Sequence, residues 1–325
     1  MSGITIDDIR AAAERIRNIA VHTPLKPSFE LSRRTRGRVF LKLENTQDTD
    51  SFKVRGASNA ILRALEEREI RRVVTASSGN HGRSVAYVAG RLDLEATICM
   101  TRLVPEDKIA GIEHLGASVV IHGDDQNQAV EMALDIAERE QALYVPPFDH
   151  PDVIAGQGTA GLEMLARCPE LDVLIVPVSG GGLLSGVAAA ARALKPEIGI
   201  VGVTCERDAA MYESVKAGRV VTVGERASIA DALPGPIPED NRYTFPMCRD
   251  LVDDIVPVRD ADIAAAMRYV LDYERFVLEG AGAVSVAYVL QNAPSFRNLN
   301  VAAVCSGGNI SRERLESIFQ RFDLQ

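Results

Sequence analysis

The chain has no tryptophan, and only 5% of its residues are aromatic, which by itself excludes nothing about function. Its other shortages exclude more. Five cysteines, Cys99, Cys168, Cys205, Cys248 and Cys305, are scattered without the spacing of a metal knuckle or a disulfide framework. They read as small core residues in a reducing cytoplasm. Basic residues are outnumbered, 36 to 45, leaving a net charge of −9 and no electrostatic footprint for nucleic acid. No run approaches the ~18 apolar residues of a membrane-spanning helix. Met1-Ser2-Gly3-Ile4-Thr5 has no basic segment leading into an apolar one, so secretion is not expected. There is no internal repeat and no low-complexity tract.

What is present is ordinary for a globular protein: 46% hydrophobic and 25% charged residues over 325 positions, enough for about two domains with a large core in each. Short apolar runs alternate with helical stretches, which points to α/β layers with mainly parallel sheets. Strands are expected at 39–41, 72–75, 96–100, 118–121, 173–176, 200–203, 255–258 and 301–304. Amphipathic helices are expected over 128–140 and 260–274; in the second, Ile263, Met267, Val270 and Leu271 share a face and Asp260 and Asp262 occupy the N-terminal cap region. Residues 224–241, with Pro234-Gly235-Pro236-Ile237-Pro238, read as a long loop.

Four segments carry chemistry. Ser51-Phe52-Lys53-Val54-Arg55-Gly56-Ala57 sets a lysine at a helix start. Near helix dipoles and cationic groups such an amine loses its proton more readily and can form a Schiff base; alone, it reads as a solvated charge. Thr75-Ala76-Ser77-Ser78-Gly79-Asn80-His81-Gly82 follows an apolar strand and opens a helix, a loop whose amides suit a carboxylate. Val176-Pro177-Val178-Ser179-Gly180-Gly181-Gly182-Leu183 is either a plain turn or a phosphate cup. Val304-Cys305-Ser306-Gly307-Gly308-Asn309 again ends a strand in small polar residues.

In this order and spacing, with Thr23-Pro24-Leu25 and Val153-Ile154-Ala155-Gly156-Gln157-Gly158-Thr159, the segments resemble the serine/threonine dehydratase and serine racemase family of fold-type II pyridoxal-phosphate enzymes. The likeness runs along nearly the whole chain. Within the family, Ala96-Thr97-Ile98-Cys99-Met100 with Leu103-Val104-Pro105, and Asp240-Asn241-Arg242-Tyr243-Thr244-Phe245, are most similar to the hydroxyectoine-utilisation dehydratase branch.

The resemblance implies two open α/β domains of the tryptophan-synthase-β kind with the active site in the cleft between them. Residues 47–145 would form the smaller domain; 1–46 with 146–325 would form the larger, cofactor-binding one. It implies pyridoxal 5'-phosphate held by Lys53 as Schiff-base lysine, with Phe52 beside the ring, Asn80 at the 3-hydroxyl, Ser179, Gly180, Gly181, Gly182 and Leu183 around the phosphate, Glu279 nearby and Ser306 at the pyridine nitrogen. The family usually has glycine where Ser179 stands. Ser77, Ser78, Asn80 and His81 would grip the substrate carboxylate, and a homodimer or higher homo-oligomer is expected.

The activity implied is β-elimination from a 2-amino-3-hydroxy acid such as threonine or serine, giving a 2-oxo acid and ammonia. A hydroxyl rather than a carboxylate at the pyridine nitrogen favours prompt loss of a β-leaving group. Alternatives within the fold are a dehydratase of a hydroxylated diamino acid, a serine racemase and a β-replacement synthase; outside it, a cofactor-free binding protein. Ser78 is either the acid/base opposite Lys53, as in racemase-like members, or a loop hydroxyl. His81 is expected to serve loop geometry more than catalysis, and no C-terminal regulatory domain is expected after Asn309.

Two departures from the family's pattern bear on ligands. Thr204 and Ala210 stand where cation-binding members have acids, so no metal is expected, although Glu206 and Asp208 lie nearby. Asp50 stands where the family commonly has glycine, with Asp48 close by. This acidic pair is either a surface turn or a partner for a cationic group on the substrate's side chain.

Overall fold

The computed structural model describes residues 3–104, 106–224 and 226–324. Met1, Ser2 and Pro105 of the Leu103-Val104-Pro105 motif lie outside them. The strands are β1 (Leu25–Ser28), β2 (Arg38–Leu43), β3 (Arg72–Ala76), β4 (Glu95–Met100), β5 (Ser118–Ile121), β6 (Leu143–Tyr144), β7 (Val173–Pro177), β8 (Gly199–Cys205), β9 (Asp254–Val258) and β10 (Asn300–Cys305). One six-stranded sheet runs β1-β2-β10-β7-β8-β9; a four-stranded sheet runs β5-β4-β3-β6. Only β1 pairs antiparallel, with β2; every other pair is parallel.

Continuous apolar runs make the central strands because both their faces are covered. In β10, Val301, Ala303 and Cys305 enter one core while Ala302 and Val304 enter another on the opposite face. In β7, Ile175 joins the first core and Leu174 and Val176 the second. The smaller sheet has its own cores, around Val73 and Ile98 on one face and Val74 and Cys99 on the other. Ile16, Ile19 and Ala20, far back in sequence, pack into the first of these.

All eight expected strands are present; β1 and β6 were not anticipated. β1 holds Pro27, which an edge strand tolerates, and β6 is two residues long. The 126–139 helix starts earlier than its apolar pattern, because the Asp125 side chain caps it by accepting from the Gln128 amide. The 260–274 helix ends at Tyr269 and continues as a π-helical turn to Glu274. Its N-cap is Arg259: Asp260 and Asp262 lie in the first turn, where Asp260 accepts the Ser228 hydroxyl and Asp262 pairs with Arg259.

Beneath the join between the sheets lies a buried ion network. Lys42 of β2, Glu44 and Arg55 are almost inaccessible, and Glu163 of the Pro151–Arg167 helix completes the set. Arg55 donates to both Glu44 oxygens, at 2.7 and 2.9 Å, and to both Glu163 oxygens, at 2.7 and 2.8 Å. Lys42 pairs with Glu163 and donates to the Thr23 carbonyl, while the Thr23 hydroxyl donates to Glu44. Burial alone would raise the Glu44 pKa, but Arg55 and then Lys42 outweigh it and bring it down to about 2. The Lys53–Glu67 helix therefore reaches the larger sheet through charge as well as packing, with Gly56 set directly against Gly156 of the crossing helix.

Removing one member of a complete buried set leaves an unpaired charge, the costly case. Arg55→Met should lower unfolding free energy by about 3–5 kcal/mol in urea titrations. A loss below about 1 kcal/mol would show that Glu44 and Glu163 are not held by this arginine.

Candidate active site

β2, β10 and β7 are parallel neighbours in the larger sheet, so their C-terminal ends open side by side. Lys53 follows β2 after a short helical turn, Ser306 follows β10 directly and the glycine loop follows β7. The Ser77–Asn80 loop follows β3 of the other sheet. Three of the four sequence motifs thus meet by topology alone, at the end of a parallel sheet where ligands bind.

Local backbone bonds refine that meeting. The Phe52 amide donates to the Ser306 carbonyl at 3.0 Å, Ser51 forms an antiparallel bridge with Gly307, and the Gly308 amide donates to the Asp50 carbonyl at 2.9 Å. Asp50 has φ = +55°, the left-handed conformation that explains glycine as the usual residue there. Lys53 begins its helix, partly accessible, and its amine donates to the Pro147 carbonyl at 2.6 Å. Burial of that amine pulls its pKa down to about 8. The sequence suggested helix dipoles and cations as the cause; the structure gives desolvation instead. The Phe52 ring centroid lies 5.4 Å from Nζ.

Asn80 is the junction of a second set of bonds. Its amide nitrogen donates to Glu279 Oε1 at 2.6 Å, and its amide oxygen accepts from Asn309 at 2.6 Å. Asn309 also donates to the Thr49 carbonyl at 2.8 Å, so one side chain ties the turn before Lys53 to the loop after β3. A carboxamide nitrogen has two hydrogens, and Asn80 spends one on Glu279. Burial raises the Glu279 pKa to about 8, against the opposing pull of the Asn80 bond, so this carboxyl is protonated at neutral pH. Ser306 is buried, and its hydroxyl has only a long 3.4 Å contact to the Ala281 carbonyl.

Gly181, at φ = +91°, caps the Gly182–Leu194 helix, whose first amides have no intrahelical acceptor. A methyl on Gly180 would run into the Phe148 ring, and one on Gly181 would lie 2.9 Å from Thr244 Cβ. Ser179, beside them, is partly accessible, and Leu183 is buried in the core behind. The glycines are thus required by Phe148 and Thr244 packed against the loop, which leaves the helix's first amides uncovered by loop side chains.

In the loop after β3, the Ser77 amide donates to the Cys99 carbonyl and its hydroxyl accepts from the Gly79 amide. Ser78 and Asn80 are partly accessible. His81 is buried, with Nε2 2.9 Å from the Val145 carbonyl. Burial, and then Lys53, drive its pKa down to about 3, so the ring is neutral, Nε2–H donates, and His81 braces the loop from behind.

Asp48 is exposed and accepts the Tyr87 hydroxyl at 2.6 Å, while Asp50, joined to the cluster by its carbonyl, has its residue surface exposed. Thr204 and Ala210 are buried, Glu206 is exposed, and Asp208 is taken by the Arg226 backbone and guanidinium. Among the described residues no three His, Cys, Asp or Glu side chains converge as a metal site, and no helix is long and apolar enough to cross a membrane. Sequence reasoning gave no role to Asn309, though it stood in a quoted motif, nor to Pro147, Phe148 and Asp149, signalled only by the Pro146-Pro147 pair.

Comparison with known proteins agrees with this geometry. Residues 16–307 match the family described as pyridoxal-phosphate dependent enzyme. A Sinorhizobium fredii protein provisionally named a threonine dehydratase is 47% identical over 311 residues, covering 95% of this chain and 93% of its own. The L-threonine ammonia-lyase of Thermotoga maritima is 42% identical over 318 residues, covering 98% of this chain and 79% of its own. Among solved structures, maize serine racemase superposes with a TM-score of 0.91 at 32% identity, covering 99% of this chain and 98% of that one.

The Glu279 carboxyl makes stability depend on pH. Its folded pKa is raised from 4.5 to about 8, so its contribution is intact below pH 4.5 and is lost as pH rises through 8. The full loss is at most about 5 kcal/mol. Glu279→Gln keeps an oxygen for Asn80 and removes the titration, so its urea midpoint should fall less than wild type between pH 5 and pH 9. Parallel profiles for the two proteins would show that the carboxyl ionises freely.

Proposed function

The chain belongs to the family of pyridoxal-phosphate dependent enzymes, and from that premise we propose that it eliminates water from a 2-amino-3-hydroxy acid, threonine or serine, to give a 2-oxo acid and ammonia. The observation that carries this reading is the convergence of Lys53, the glycine loop and Ser306 at adjacent strand ends of one sheet with Asn80, which is brought to them from the other sheet by its bonds to Glu279 and Asn309. The residues fit the cofactor: an amine with a lowered pKa, a glycine loop at a helix N-terminus, an amide with a spare N–H, and a weakly engaged serine hydroxyl. The names of the relatives, threonine ammonia-lyase and threonine dehydratase, support the substrate class.

Pyridoxal phosphate, when bound, supplies the sink for the electrons left at the substrate's α-carbon. The glycine loop and the first turn of the Gly182–Leu194 helix hold its phosphate, Asn80 its hydroxyl and Ser306 its ring nitrogen. Ser77, Ser78 and Asn80, at the loop before the Asn80–Arg91 helix, hold the substrate carboxylate, with His81 neutral behind them. With a pKa near 8, a useful fraction of Lys53 amine is unprotonated at neutral pH and able to take the α-proton. The Cβ–O bond then breaks, and its hydroxyl leaves as water by taking up a proton equivalent to the one Lys53 has accepted, which returns the amine to its free form. The released enamine tautomerises to an imine, and hydrolysis gives the 2-oxo acid and ammonia.

The bond of Asp48 to Tyr87, and the relatives' names, favour threonine or serine over a hydroxylated diamino acid with a cationic side chain. We take residues 47–145 as the smaller unit, closing over substrate against 1–46 with 146–325, in a cytoplasmic homo-oligomer.

Lys53→Ala should abolish turnover and leave no borohydride-fixed cofactor on the protein; peptide mapping that finds the adduct on another lysine would overturn the assignment. The likeness to a serine racemase, with Ser78 partly accessible in the loop, favours a racemising side activity. Ser78→Ala should remove racemisation and spare L-elimination. Equal loss of both would reduce Ser78 to a loop hydroxyl.

A further inference from the structure

Residues 146–150 form a short strap that leads from β6 into the Pro151–Arg167 helix. With Pro146 and Pro147 inside it and Pro151 directly after it, the strap is poor in backbone donors, so little of it can be anchored by its own amides. Three successive residues of the strap nevertheless touch three different parts of the site. The Pro147 carbonyl accepts the Lys53 amine at 2.6 Å. The Phe148 ring covers Gly180, and its backbone abuts Gly182. The Asp149 carboxylate accepts three consecutive amides: Arg242 at 2.8 Å on Oδ2, and Tyr243 at 2.9 Å and Thr244 at 2.8 Å on Oδ1.

Those amides begin the Thr244–Leu251 helix, whose N-cap, Tyr243, makes no side-chain cap of its own. Asp149 therefore caps it from a distance of almost a hundred residues, placing an anion where a helix favours one. The same helix start supports the glycine loop from the far side: Thr244 abuts Gly181, and the Ser185 hydroxyl donates to the Thr244 carbonyl at 3.3 Å. Strap, helix start and glycine loop close into a ring of contacts, and Asp149 is its polar fastening.

We infer that Asp149 is a positioning residue: by pinning the strap to the start of the Thr244–Leu251 helix, it holds the Pro147 carbonyl on Lys53 and Phe148 against the glycine loop. The inference rests on the reading of those two elements as the cofactor site. An amine that donates one hydrogen to Pro147 has its lone pair directed elsewhere, so a fixed carbonyl fixes the direction from which free Lys53 can act. A loosened strap releases the amine and the glycine loop together, which no single contact to either would do.

The test compares holoenzyme of wild type, Asp149→Asn and Asp149→Ala at a temperature where circular dichroism shows all three folded. Asn keeps Oδ1 for Tyr243 and Thr244 but faces an amine toward the Arg242 amide; Ala keeps none of the three bonds. Cofactor release is followed by loss of visible absorbance on dilution, alongside kcat and KM for threonine. Release should quicken in the order wild type, Asn, Ala, by about tenfold or more for Ala, as expected for losing charge-assisted bonds, with kcat falling and KM little changed. Should Ala fail to fold, the Asn variant carries the same expectation at smaller size. A lowered Tm with wild-type release and kcat in the folded variants overturns the inference, because a purely structural cap would act that way. Wild-type enzyme with no borohydride-fixed cofactor on Lys53 overturns the functional reading and this inference together; normal fixation with unaffected variants overturns this inference alone.

Discussion

The site depends on four charges that never reach it. Lys42, Glu44 and Arg55 are buried, Glu163 is partly so, and the four, close to Lys53 in the fold, are balanced in sign. Each ion taken from water costs several kcal/mol, and only a complete, well-bonded set offsets that cost. Its value lies in geometry more than in net stability. Lys42 and Glu44 belong to the end of β2, Arg55 to the first turn of the helix that Lys53 begins, and Glu163 to the helix crossing it. A one-residue slip in any of these would strand a charge, so the network fixes where the helix begins and with it where the lysine stands.

At the site itself the electrostatics reverse. Lys53 and Glu279 both have pKa values brought to about 8, and His81 is lowered to about 3, each first of all by burial. Burial disfavours whichever form is charged, so one environment lowers a lysine and a histidine while raising a carboxyl. Glu279 and His81 are thereby neutral at the site face. Asn80 can bond to a Glu279 that brings no negative charge, and His81 can brace its loop without a positive one. The fixed charges of the network are paired with one another, and an anionic phosphate and substrate carboxylate would meet amides and hydroxyls rather than competing carboxylates.

Much of this was legible in the sequence, for identifiable reasons. Central parallel strands such as Val301–Val304 and Val173–Val176 declare themselves as apolar runs because both faces are buried. Edge strands do not: β1 carries Pro27 and β6 is too short for any periodicity. Lys53, Asn80, the glycine loop and Ser306 were visible because small and polar residues directly after apolar strands are unusual, and four in register are more so. Asn309 and Asp149 were not, because each acts through a partner remote in sequence: Asn80 lies 229 positions from Asn309, and Thr244 lies 95 from Asp149. Nor could the sequence say why Lys53 should lose its proton. Helix position is local and readable; desolvation depends on what the rest of the chain packs around the amine.

These long-range bonds answer a problem that parallel topology leaves open. Adjacent strand ends deliver Lys53, Ser306 and the glycine loop from one sheet, but the Ser77–Asn80 loop comes from the other. No ladder joins the two sheets. The joints are side chains and loops: Asn309 bonding both the Thr49 carbonyl and Asn80, Glu279 bonding Asn80, and Lys53 bonding the strap that leaves β6. These contacts add to the deeper joint made by the Arg55 network and the Gly56–Gly156 approach, and they are made by groups that a ligand would also use. Asn80 has one N–H committed and one to offer, and Lys53 holds Pro147 through the same amine to which the proposed reaction assigns the proton transfer. Ligand binding and the relative placement of the sheets therefore draw on the same atoms. A ligand in the site would compete for these joints, whereas the buried Arg55 network would be left intact.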